Sequence, residues 1–325
     1  MPDLYGAIDL GGTKIRALIA DLDGREYGYD LRESEAGLGP DGVLQRMTDS
    51  LAAAAAQAGV STGDLRGVGI DSPGAIDVKR GIVTGAPQLP GWHNVPLAAA
   101  MSERLGVPAV LENDASAAAL GEHRYGAGKG TRHMLYITVS TGVGGGIIID
   151  GRLYTGAGGA AGELGHMVID MHAAETCPWC ERGCVEVLAS GTAIARRGVK
   201  LAADGQAPVL ARLAAAEGDV TAEMMSRAMA DGDEPCREAF REAGRYLGIG
   251  LANYVNIFNP EAIVVGGGVS RSGPEFLEAA RERMYAHAIR ALSEEVRLEP
   301  AALGERSGPM GMIARLAEMA QESSS

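Results

Sequence analysis

Short apolar runs broken by glycine alternate along this chain with longer stretches whose apolar residues recur at helical spacing. Leu4 to Leu10 is one such run; Gly11-Gly12-Thr13-Lys14 interrupts it and Ile15 to Ala20 resumes it before Asp23-Gly24. That pattern predicts a β-hairpin opened by glycines. An alanine-rich helix is expected from Asp41 to Ala58 with Gly59 as its stop, then a buried strand from Leu65 to Ile70 ending at Asp71-Ser72-Pro73-Gly74. Helix Leu97 to Leu105, strand Val107 to Leu111 and helix Ala115 to His123 follow, with Glu112-Asn113-Asp114 at the last junction. Such alternation predicts an α/β protein, with a mostly parallel or mixed sheet covered by helices.

The second half repeats the layout of the first. Strand Met134 to Val139, the turn Ser140 to Gly145 and strand Gly146 to Ile149 lead to Asp150-Gly151-Arg152, which parallels Asp23-Gly24-Arg25. Two glycine hairpins point to two related lobes. Helices are expected at Val209 to Ala216, Thr221 to Asp231, Pro235 to Phe258, Pro274 to Leu292 and Met310 to Glu322. A strand at Ala262 to Val265 runs into Gly266-Gly267-Gly268.

Composition narrows the class. The 325 residues carry 29 basic and 42 acidic side chains, a net charge of −13, which disfavours an extended basic face for nucleic acid or anionic membrane. Glycine numbers 47, about twice the usual share of ~7% and without a collagen period. No apolar stretch has the length of a membrane span and Met1 to Tyr5 runs straight into a strand, so neither signal peptide nor membrane segment is expected and a cytoplasmic location is. Cys177, Cys180 and Cys184 cluster while Cys236 stands alone; that is the layout of a metal site, not of a disulfide framework.

Four places could carry chemistry. Asp9-Leu10-Gly11-Gly12-Thr13-Lys14 offers backbone N–H groups without Cβ atoms, a hydroxyl and an ammonium, the parts that cradle phosphate, and Thr141 to Gly145 offers a second such turn. Gly126 to Thr131 imitates a P-loop, but Gly130 follows Lys129 and Arg124 stands where the first glycine would be. Glu112-Asn113-Asp114 lies between a strand end and a helix start, where open α/β sheets bind ligands. There Asp114 could cap the helix or accept a proton from a substrate hydroxyl, and a helix N-terminus should keep it ionised. His166, Cys177, Cys180 and Cys184 complete a tetrahedral Zn2+ shell with no open position, a structural site. Glu163 and Glu186 flank it, either as solvated surface charges, the default for a lone Glu, or as carboxylates that face a ligand.

With Asp-x-Gly-Gly-Thr-Lys, Glu-Asn-Asp, Gly-Glu-Leu-Gly-His, Gly-Cys-x-Glu and Gly-Gly-Gly-Val-Ser in this order, the sequence resembles the ROK family of sugar kinases, most closely its bacterial ATP-dependent glucokinases, from Tyr5 to about Leu316. Ser72 to Asp77 and Ala86 to Trp92 look like the family's sugar-side loops. The resemblance implies an actin-like, duplicated ribonuclease-H-like fold, with residues 1–115 and 308–325 as a small lobe, 116–307 as a large lobe, a zinc loop at 166–186 and ATP in a cleft between the lobes. It implies nucleotide contacts at Asp9, Gly11, Gly12, Thr13, Lys14, Thr141, Gly142, Gly144, Gly266, Gly267 and Gly268. Sugar contacts are implied at Gly74, Asn113, Asp114, Glu163, His166 and Glu186, with Asp114 as the catalytic base.

Two departures stand out. The middle cysteine of Cys177 to Cys184 falls one residue later than in the common family pattern, and Gln88 stands where glucokinases often have Asn. The implied reaction is phosphorylation of a hexose by ATP with Mg2+, foremost D-glucose at its 6-hydroxyl, by a homodimer or homotetramer. Kinases of N-acetylhexosamines, mannose or fructose are the alternatives. A sugar-responsive repressor is the remote one, since Asp9 leaves no room for a preceding DNA-binding domain.

Overall fold

A computed structural model describes residues 2–322. The opening hairpin forms as its apolar runs dictate: β1 (Tyr5–Leu10) and β2 (Lys14–Ala20) pair antiparallel from Tyr5–Ala20 to Leu10–Ile15, and Gly11 N–H closes the turn on the Lys14 carbonyl at 2.8 Å. A third strand, β3 (Glu26–Glu33), pairs with β2. The hydrophobic pattern conceals it, because an edge strand with Glu26, Asp30 and Arg32 reads as loop. Helix α1 (Gly39–Gln57) leads to β4 (Val68–Ser72), then the short strands β5 (Ala75–Asp77), β6 (Ile82–Gly85) and β7 (His93–Val95) form a side sheet the sequence did not announce. After α2 (Leu97–Leu105) and β8 (Ala109–Asn113) comes α3 (Asp114–Tyr125).

The second half runs β9 (Met134–Val139), β10 (Val143–Ile149), β11 (Arg152–Leu153) and a small hairpin, β12 (Thr176–Cys177) with β13 (Glu181–Arg182). Gly144 and Gly145, expected in a turn, therefore lie in strand β10, and the turn shrinks to Ser140-Thr141-Gly142. Helices α4 (Val185–Ala189), α5 (Gly191–Ala203), α6 (Pro208–Glu217), α7 (Ala222–Ala230) and α8 (Glu234–Phe258) precede β14 (Ala262–Gly266). The helix expected from Pro274 to Leu292 is two, α9 (Pro274–His287) and α10 (Arg290–Ser293), since Ala288 takes an extended ψ of 155°. Strand β15 (Arg297–Pro300) and helix α11 (Ser307–Glu322) finish the described chain.

The strand orders are β3-β2-β1-β4-β8 and β11-β10-β9-β14-β15. In each, the third strand of that order pairs parallel to the fourth and the fourth to the fifth, so the duplication suggested by two glycine turns is a duplication of topology. The chain forms two compact units. One holds the residues up to Arg132, Gly146–Gly162 and those from Ala301 on; the other holds His133–Gly145 and Glu163–Pro300. Among the described residues no helix is long and apolar enough to cross a membrane.

In the first unit the β1-β4-β8 sheet is covered on both faces. Ile8, Leu10, Ile15 and Ile70 pack with Val43, Met47 and Leu51 of α1 and with Leu97 and Met101 of α2. On the other face Ala7 and Leu18 meet Ala117 of α3 and Met310, Met312 and Ile313 of α11. Helices α3 and α11 lie almost backbone to backbone. A Cβ at Gly311 would sit 1.6 Å from the Ala117 carbonyl oxygen, and one at Gly121 2.3 Å from that of Ser307. Buried Glu122 locks the pair: its carboxylate accepts from the N–H groups of Ala127, Ala302 and Leu303 and from the Ser307 hydroxyl, at 2.8 to 3.0 Å. The segment that imitated a P-loop is thus folded onto a carboxylate of its own chain.

Glu122→Ala would strand three backbone donors and a hydroxyl, each costing about 1–3 kcal/mol when buried and unpaired. Urea unfolding should show a loss of about 3 kcal/mol or more, with Glu122→Gln intermediate because it keeps only one accepting oxygen.

Candidate functional site

Three carboxylates gather where parallel strands of the first unit end. Asp9 is the penultimate residue of β1 and lies in register with Asp71 of β4, whose other neighbour in register is Glu112 of β8. Asp114 follows β8 as the first residue of α3. Strand C-termini are where an α/β sheet presents ligand-binding groups. Asn113 and not Asp114 is the N-cap: its Oδ1 accepts from Ala115 and Ser116 N–H at 3.0 and 3.2 Å. Asp114 Oδ1 takes the Ala115 N–H at 2.8 Å, which leaves Oδ2 as its accepting atom.

The helix N-terminus favours the ionised form of Asp114, as expected, but burial acts against it. Burial raises its carboxyl to about 6, Ala115 N–H opposes the rise and the charge of Asp9 adds to it; desolvation outweighs the helix end. Asp9 is raised too, first by burial, against the pull of Arg16, whose Nη1 lies 2.9 Å from Asp9 Oδ2. Arg16 and Asp71 escaped the sequence reading. Arg16 stands across from Asp9 in the hairpin register, a pairing that β-hairpin geometry would have given.

The Gly11–Lys14 turn leaves Thr13 and Lys14 exposed, while Ser34 fixes the loop through its hydroxyl to the Gly12 carbonyl at 2.8 Å. A Cβ on Gly12 would stand 2.9 Å from Gln88 Cβ. Gly74 turns between β4 and β5 at φ +95°, its missing Cβ 2.4 Å from the Gly85 carbonyl oxygen. These residues, with Asn113 and Asp114, belong to the first unit.

The remaining candidates belong to the second unit. Ser140 and Thr141 are stapled to the start of α5 by Gly191 N–H to the Ser140 carbonyl at 2.7 Å and the Thr192 hydroxyl to the Thr141 carbonyl at 2.7 Å. Glu186 joins the same turn: its Oε2 accepts from Val143 N–H at 2.9 Å and occupies the space a Gly142 side chain would need. Gly144 lies in β10. Gly266 ends β14, Gly267 has φ +90° with its Cβ position 2.2 Å from the Val139 carbonyl oxygen, and Gly268 has open space around it.

His166, Cys177, Cys180 and Cys184 bring one donor atom each within 4.8 Å of one another. His166 Nδ1 lies 3.7 and 3.9 Å from the sulfurs of Cys177 and Cys180, close to the edge of about 3.5–3.8 Å that tetrahedral Zn2+ bond lengths give for such donors. The donor set and its spacing fit zinc. His166 Nε2 points the other way, 3.9 Å from Oε2 of exposed Glu163, so the ring joins a metal-type cluster to a carboxylate. The later position of the middle cysteine is absorbed by the β12–β13 hairpin, where Glu181 takes φ +68°.

The fold defines the class: it is the actin-like, duplicated ribonuclease-H-like architecture of sugar kinases. A Streptomyces griseus ROK family glucokinase, crystallised with glucose and AMPPNP, matches it with a TM-score of 0.82 at 34% identity, over 97% of this chain and 99% of that one. The chain belongs to the ROK family, whose model matches residues 5–319. It is 33% identical over 315 residues to the glucokinase of Thermotoga maritima, covering 96% of each. It is equally 33% identical over 309 residues to the xylose repressor of Caldicellulosiruptor bescii, covering 94% of this chain and 76% of the repressor.

If the His166–Cys177–Cys180–Cys184 cluster holds zinc, the purified protein should contain about one equivalent by elemental analysis. Its removal by a strong chelator should lower Tm by about 5 °C or more, restored by Zn2+. Metal-free protein of unchanged Tm would refute the site.

Proposed function

We propose that this protein is an ATP-dependent hexose kinase that converts D-glucose to glucose 6-phosphate with Asp114 as general base. The observation that carries the reading is Asp114 itself, at the head of α3 beside Asp9 and the glycine turn, with its pKa raised to about 6. Its likeness to two glucokinases points to the same reaction.

In this reading the sugar 6-hydroxyl attacks the γ-phosphorus while its proton passes to Asp114 Oδ2; the new O–P bond forms as the bond to the ADP oxygen breaks. A loose phosphoryl transition state asks for position and charge stabilisation more than for a strong base. Because the Asn113 oxygen is held by the helix end, its amide nitrogen is the atom assigned to donate to a sugar hydroxyl. Gly74, Glu163, His166 and Glu186 are assigned to the sugar, the last through its Oε1. Asp9 and Gly11 to Lys14, with Thr141, Gly142, Gly144 and Gly266 to Gly268, are assigned to the nucleotide. Asp9 is the carboxylate that would hold a Mg2+ ion, directly or through water, and such an ion would spread the charge of the nucleotide's phosphates. A zinc ion on His166 would fix the ring so that its Nε2 edge stays toward the substrate.

The alternative, a kinase of an N-acetylhexosamine, mannose or fructose, uses the same machinery. A coupled ATP assay across hexoses and N-acetylhexosamines should give glucose the highest kcat/KM; preference for another sugar corrects the substrate, and no turnover on any refutes the kinase. Asp114→Asn should cut kcat by about 10^2–10^4 with little change in KM for ATP; near-normal turnover would remove the base assignment.

A further inference from the structure

Asp71 takes no part in the reaction outlined above, yet it is the most deeply buried carboxylate in its surroundings. It is 0% exposed, and neither of its oxygens has a hydrogen-bond partner among the described residues. Its strand places it in register with Asp9 on β1, about 4.8 Å away by backbone spacing and on the same face of the sheet.

The groups around it are few, and Glu112 of β8, its other neighbour in register, is one of them. Asp9 faces it from β1, Arg16 from β2 and Asp114 from the head of α3. From α11 it meets Gly308, whose missing Cβ would lie 3.1 Å from Asp71 Oδ2, while Arg315 and Glu318 of that helix act on Glu112. Two nitrogens of Arg16 are already engaged, Nη1 on Asp9 at 2.9 Å and Nη2 3.6 Å from Glu305; its buried Nε has no hydrogen-bond partner among the described residues, and none of the three bonds Asp71. An ionised Asp71 would therefore be a buried charge without a partner of its own, wedged between two like charges. Burial, then the charges of Asp9 and Asp114, push its carboxyl well above the ordinary range.

We propose that Asp71 is a positioning residue that works as a neutral acid, its proton directed toward Asp9, so that three carboxylates can share one buried corner beside the Gly11–Lys14 turn. The proton leaves Asp9 paired with Arg16 and limits the negative charge that an incoming triphosphate meets. When Asp71 loses that proton at alkaline pH, a third charge appears behind the turn and nucleotide binding weakens. This kinetic consequence rests on the reading of the turn as the nucleotide site; the protonation itself does not.

Infrared difference spectroscopy of wild type against Asp71→Asn at pH 7 tests the proton directly. The expected result is a protonated-carboxyl C=O band in wild type that Asp71→Asn removes; absence of the band, or its survival in the variant, overturns the proposal. Should the variant fail to fold, titration of the band in wild type reads the same proton, and a band already absent at pH 7 is the contrary result. In steady-state kinetics KM for MgATP should rise about 3-fold or more toward alkaline pH in wild type, as expected for one added charge nearby, and stay flat in Asp71→Asn. A rise that persists in the variant overturns the electrostatic role. If the protein turns over no ATP at all, the infrared result still stands alone, so failure of the kinase reading and failure of this one are told apart.

Discussion

Helix α3 can begin where it does only because it meets α11 without side chains in between. Gly121 and Gly311 allow two backbones to touch, small residues line the buried face of α3, and Glu122 gathers the donors of the loop that leads into α11. The position of Asp114 follows from that contact, since it is the first residue of the same helix and its cap, Asn113, closes strand β8. A shift of α3 along α11 would move the carboxylate relative to the strand ends. The position of the proposed base is thus a packing property set about one and two turns away from it, at Ala117 and at Gly121 and Glu122.

The same corner is electrostatically expensive. Asp9, Asp71 and Asp114 are all less acidic than ordinary carboxylates, chiefly through burial, and Arg16 is the cation that faces Asp9 and Asp71. Proteins tolerate such crowding at functional sites and offset it in the surrounding core. Here the offset comes from a two-sided sheet, whose apolar faces are both covered. Glycine participates in a way composition alone did not reveal. Gly12, Gly142, Gly266 and Gly267 each face an atom of their own unit within 3 Å of a would-be Cβ, so their first role is to let the chain pack closely around the turns.

Much of this was legible in the sequence. The repeated strand, glycine turn, strand layout foretold two sheets of one topology, and the run of His166 and three cysteines foretold a tetrahedral cluster, because both signals are local in the chain. Asp114 was legible as a residue between strand and helix, but its acidity was not: the chain shows the helix end and hides the burial that overrides it. Asp71 read as the start of an Asp-Ser-Pro-Gly turn, and only the in-register pairing of β1 with β4 reveals it beside Asp9. Glu122 in an alanine-rich helix reads as a solvated charge, the default for a lone Glu; its partners are some 180 residues away in sequence. Edge strand β3 was lost for the opposite reason, since exposure gave it a polar pattern.

The central claim is that a half-buried aspartate, made less acidic by its surroundings, takes the proton of the sugar hydroxyl. The pH dependence of kcat/KM for the sugar tests it most directly. An Asp whose ionised form is the base predicts activity that rises with pH through an apparent pKa of about 6. An acid limb at the ordinary aspartate value of about 3.9, or no acid limb down to the pH at which the protein unfolds, would contradict the account.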